Sequence, residues 1–151
     1  MDAITSLFES LDWANLMPKT DAISDAVTKF VGFAILAGPI ILLVLGLIYL
    51  LLPPKEANHR FGFRTWFGMG SVAAWRFAQR IAGISWSALG LVLTIVMLVR
   101  KTAFEKMSPM EMIPPAITCM LWQAGLVFVS YIAIGIVVAV FYDYKGNRRR
   151  K

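Results

Sequence analysis

Four arginines, Arg60, Arg64, Arg76 and Arg80, share the stretch Asn58–Gly83 with the chain's only histidine, His59. The same stretch holds six large aromatics (Phe61, Phe63, Trp66, Phe67, Trp75 and Phe77) and no Asp or Glu. Side chains of these types do not make a catalytic set. A metal centre needs further ligands beside His59, and neither Cys119 nor a carboxylate is placed by sequence to help. Gly62, Gly68, Gly70 and Gly83 are not followed by the Gly-Lys-Ser/Thr of a phosphate-binding loop, and no nucleophile elbow is present. The expectation is a protein that is not an enzyme and uses no metal or cofactor. The chemistry on offer is recognition of anions: planar guanidinium groups grip phosphate or carboxylate through paired hydrogen bonds. Aromatics beside them anchor a segment at a membrane surface. Arginines next to membrane spans also mark topology, so both readings stand at this point.

The positions within this stretch have a second property. Asn58, Gly62, Arg64, Thr65, Trp75, Arg80 and Gly83 form N-x3-G-x-R-T-x9-W-x4-R-x2-G, and an apolar run follows directly. The pattern resembles that of the SdpI-type membrane protein family, known for bacterial toxin immunity and signalling. Gln79 stands where that family usually has Asn or His, Trp66 where Pro often follows the Thr, and Gly70-Ser71-Val72-Ala73 where acidic residues are common. The resemblance implies a small helical membrane unit in a bacterial cell membrane. It also implies a site built from Asn58, Gly62, Arg64, Thr65, Trp75, Gln79, Arg80 and Gly83, which binds a membrane-active peptide or a partner protein. Equally, Asn58, Arg64, Thr65 and Trp75 would serve to lock the loop onto the helix ends.

The elements that must position these residues follow from composition. Of 151 residues, 58% are hydrophobic and the mean hydropathy is +0.68, above the roughly 45–50% apolar content of soluble domains. Three runs free of Asp, Glu, Lys, Arg and His, at about 31–52, 81–99 and 116–142, suffice to cross a bilayer, whose core takes about 20 helical residues. The expected fold is an all-α integral membrane protein with three transmembrane helices in a membrane domain over 31–142. Residues 1–30 form an amphipathic N-terminal segment, with Ile4, Leu7, Phe8 and Leu11 on one face and Pro18 as a break. Its acidic start does not fit a signal peptide. The loop 53–80 carries an interfacial helix at about 71–82, and 143–151 is a basic tail. Gly38-Pro39 interrupts the first span, where the missing N–H of Pro39 predicts a kink. Gly32, Gly38, Gly46, Gly83 and Gly90 offer sites of close helix approach.

Fifteen Lys and Arg stand against nine Asp and Glu. Ten of the basic residues fall in the first loop and the tail and five on the other side, so the positive-inside rule places that loop and the C-terminus in the cytoplasm and the N-terminus outside. Arg148, Arg149, Arg150 and Lys151 suit the head groups of an anionic inner leaflet rather than nucleic acid. Uncharged spans disfavour a lone pump or channel. The alternative to peptide binding is a structural accessory subunit of a larger membrane complex, since glycine-bearing helix faces call for a membrane protein partner or a homo-oligomer. One cysteine, Cys119, rules out an internal disulfide.

Overall fold

A computed structural model describes residues 20–54 and 61–149. The protein is an all-α membrane protein: α1 (Thr20–Leu51), α2 (Val72–Phe104) and α3 (Pro109–Phe141), with a 3-10 turn at Gly68–Gly70 between the first two. All three helices are long and apolar enough to cross a membrane. At ~1.5 Å per residue, helices of 32 and 33 residues reach about 50 Å, well beyond a hydrocarbon core of about 30 Å. Their ends therefore stand in the head-group region or beyond.

The helix starts are local events. Ser71 has extended backbone, and its Oγ accepts the Ala74 N–H at 3.1 Å, so it caps α2. Ser108 precedes Pro109 at the first helical position, and the Ser108 N–H donates to Glu111 Oε2 at 3.1 Å. Residues 71–82, expected as an interfacial helix within the first loop, are helical from Val72 but run without a break into the second span. No Gly or Pro stands between Ser71 and Ile81 to end the helix, and Arg76 and Arg80 project from it outward. The third helix likewise begins seven residues before its apolar run, because Pro114 and Pro115 are carried inside it. Residues 1–19, with most of the amphipathic segment, lie outside the described residues.

α1 and α2 make the tight pair. A side chain on Gly46 would run into Ser87 N, one on Gly83 would meet Leu50 N at 2.8 Å, and one on Gly90 would meet Leu43 N at 2.5 Å. Backbone meets backbone at these three places. α3 packs more loosely, with 11% of its most apolar window buried against 28% for each of the others. The core divides accordingly. One cluster, Ile35, Met97, Phe104, Met112, Ala116 and Cys119, closes the end toward the α2–α3 loop. The other, Tyr49, Phe63, Ala78, Ala82, Ile134 and Val138, closes the end toward the first loop.

Pro39 lies fully buried inside α1. Lacking an N–H, it leaves the Ile35 carbonyl without its helical donor. Gln123 of α3, 7% exposed, supplies one: Nε2 donates to Ile35 O at 3.0 Å. The hydrogen bond missing from α1 is thereby replaced by a tie between α1 and α3.

Candidate functional site

The first loop is held by a few side chains from α2. Gln79 is completely buried and pairs with both backbone groups of one residue: Phe63 N–H donates to Gln79 Oε1 at 2.8 Å, and Gln79 Nε2 donates to Phe63 O at 2.7 Å. An amide side chain is suited to this, presenting a donor and an acceptor side by side as a neighbouring strand would. One turn earlier, Trp75 is also fully buried, and its indole Nε1 donates to the Pro54 carbonyl at 2.9 Å. Gly62 passes so close to this ring that an added Cβ would lie 2.5 Å from Trp75 Cζ2, and its φ of +125° suits only glycine. Thr65 Oγ1 accepts the Gly68 N–H at 3.0 Å and starts the 3-10 turn. Tyr131 of α3 donates its hydroxyl to Arg64 O at 2.9 Å. Phe63 is wedged between Trp86 and Tyr131, with ring centroids 5.2 and 5.1 Å away.

The motif thus divides. Gly62, Thr65, Trp75 and Gln79 face inward and shape the loop. Gly83 is buried against α1 at Leu50, while Arg64 and Arg80 are exposed. Asn58 lies outside the described residues, as do His59 and Arg60. Arg76 and Arg80, one turn apart on α2, line a groove of about 490 Å³ with Tyr49, Leu50, Leu51, Leu52, Pro53 and Pro54. α1 has no basic residue in its last turn, so the two guanidinium groups from α2 supply positive charge beside its carbonyl end. Neither arginine has an ion pair among the described residues. An apolar wall next to two open guanidinium groups can receive an amphiphile with an anionic end. Among the described residues, no group of His, Cys, Asp and Glu could hold a metal ion.

The tail completes this end of the molecule. Arg149 N–H donates to Phe141 O at 2.9 Å and Asp143 N–H to Asn147 O at 2.9 Å, so the chain doubles back after α3. Gly146, with φ of +76°, makes the turn and comes up against Gly70 and Ser71, whose Oγ donates to Gly146 O at 2.7 Å. Hydrogen bonds from Asn147 and Lys145 hold the Asp143 carboxyl below its usual range, the Asn147 backbone N–H most strongly. Arg148 and Arg149 are exposed; Arg150 and Lys151 lie outside the described residues. Sequence reasoning missed Gln123, Tyr131 and the Ser71–Gly146 tie, each of which joins residues far apart in the chain.

The model of the SdpI/YfhL protein family matches residues 55–143, which take in the first loop, α2 and α3. No curated protein and no solved structure matches the chain. The family match spans more than half of the sequence and covers every described residue of the motif, and on that ground the chain belongs to the SdpI/YfhL family.

Proposed function

We propose that this SdpI/YfhL-family membrane protein recognises a membrane-active peptide or a partner protein, in immunity or signalling, and catalyses no reaction. The recognition face is the groove where Arg76 and Arg80 meet the end of α1, with Arg64 beside it. One observation carries this reading. The motif's inward side chains are spent on the loop's own backbone, whereas the guanidinium groups of Arg76 and Arg80 open onto an apolar wall without an ion pair among the described residues. Guanidinium groups carried on a helix such as α2 recognise more cheaply than groups on a mobile segment, because the ordering entropy of the backbone is already spent. The basic first loop and tail face the cytoplasm in this reading, with Arg148 and Arg149 near the anionic inner leaflet.

The test is an Arg76→Gln/Arg80→Gln variant. It should accumulate and unfold like the parent and lose at least about tenfold in peptide or partner affinity, about 1.4 kcal/mol. Undiminished binding or protection in that variant defeats the proposal.

A second reading, a structural subunit of a larger membrane assembly, draws on α3, whose most apolar stretch is only 11% buried. A partner recovered in fixed ratio from native membranes in mild detergent would favour it. Recovery alone or as a homo-oligomer would favour peptide recognition.

A further inference from the structure

Between the two core clusters the three helices leave a groove of about 600 Å³. Its lining includes Gly38 and Pro39 of α1, Trp86 of α2, and Gln123, Ala124 and Phe128 of α3. Gln123 stands near the middle of the 33-residue α3, at the depth of the hydrocarbon core, where a polar side chain without partners is costly. Its Nε2 is used by Ile35 O, but among the described residues no donor meets its Oε1. Ser87 Oγ is the one enclosed side-chain polar atom without a partner among the described residues, so Gln123 Oε1 keeps access to the groove. It opens beside Gly38, where an added Cβ would sit 2.9 Å from it. The neighbouring polar side chains do not meet this need. Trp86 Nε1 donates to Ser130 Oγ, and the Tyr131 hydroxyl donates to Arg64 O.

We infer that this groove binds a lipid-soluble molecule carrying a hydroxyl group, whose O–H donates to Gln123 Oε1 while its apolar body lies along Trp86, Val127 and Phe128. Chemistry favours such an occupant over a helix. A mid-helix backbone has no spare N–H to give, because each is already bonded within its own helix. A mostly apolar cavity of several hundred Å³ with one placed polar group is the usual form of a small-molecule site. The site is separate from the arginine groove at the end of α1, which Gln123 does not touch.

The experiment uses the full chain in phosphatidylcholine nanodiscs and a diazirine-bearing hexadecanol, with labelled residues mapped by mass spectrometry. Labelling should saturate and fall on the groove-facing residues Met120, Ala124 and Phe128. Hexadecanol should compete about tenfold better than its methyl ether, the factor that one hydrogen bond of about 1.4 kcal/mol gives. Gln123→Met should erase that preference. Ala124→Phe, which narrows the groove beside Gln123 and leaves the Gln123–Ile35 bond in place, should weaken the labelling severalfold. Equal competition by alcohol and ether overturns the proposal, as does labelling spread evenly around α3. Crosslinks between two copies through the groove also overturn it, because a helix would then be the occupant.

Discussion

Gln79 shows how much one side chain can decide. The motif marks its position for recognition, yet the amide is spent inside the protein on both backbone groups of Phe63. Replacing it by Leu leaves a buried N–H and a buried C=O unpaired, at about 1–3 kcal/mol each. Gln79→Leu should therefore destabilise the purified protein by about 2–6 kcal/mol in denaturant unfolding, whereas Arg80→Gln on the exposed face should stay within about 0.5 kcal/mol. Equal effects of the two substitutions would contradict the division between inward and outward residues. Residue type and spacing made Gln79 visible as special. They could not say whether it faces inward or outward, because that depends on where Phe63 lies sixteen residues away.

At the scale of elements, the glycines sort by what they touch. Close approach is legible in the sequence as small residues on apolar helices, but which helix approaches is not. Gly46 and Gly90 bring α1 and α2 into backbone contact, while a side chain on Gly125 would meet nothing within 4 Å. Gly46→Val should overpack the α1–α2 seam and cost about 1–3 kcal/mol or prevent accumulation altogether. Gly125→Ala should be neutral or slightly stabilising, since Ala is the better helix former by about 0.8–1.0 kcal/mol. Thermal melts of both variants in the same detergent separate these outcomes. The same reasoning explains why the interfacial helix merged with the second span. Helix continuity depends on breakers, and none stands between Ser71 and Ile81.

For the whole molecule, three spans put the first loop and the tail at one end, and the Ser71–Gly146 hydrogen bond joins them directly. In a Cys119→Ser background, Trp66→Cys and Tyr144→Cys should react with a membrane-impermeant maleimide from the same side of the membrane. Met110→Cys should react from the other. All three positions are well exposed, at 86%, 64% and 81%. In the proposed orientation, argued from the positive-inside count, the Trp66 and Tyr144 side is the cytoplasmic one. Labelling of Trp66→Cys and Tyr144→Cys from opposite faces would break the three-span fold; labelling of both from outside would leave the fold and invert its orientation.

Composition by itself determined that the chain crosses a membrane three times, because a run of about 20 apolar residues has no better place than a bilayer. Spacing also carried the family pattern, whose threonine answers to a local turn, Thr65 to Gly68, and whose glycine and tryptophan meet within one loop and the start of α2. The tertiary structure decided which of those side chains remain open to a ligand. It also decided that Gln123 replaces the donor missing from Pro39 across 88 residues, and that the tail docks on the first loop across 75. Such pairings arise when three helices settle against one another, and periodicity along one helix holds no record of its neighbours.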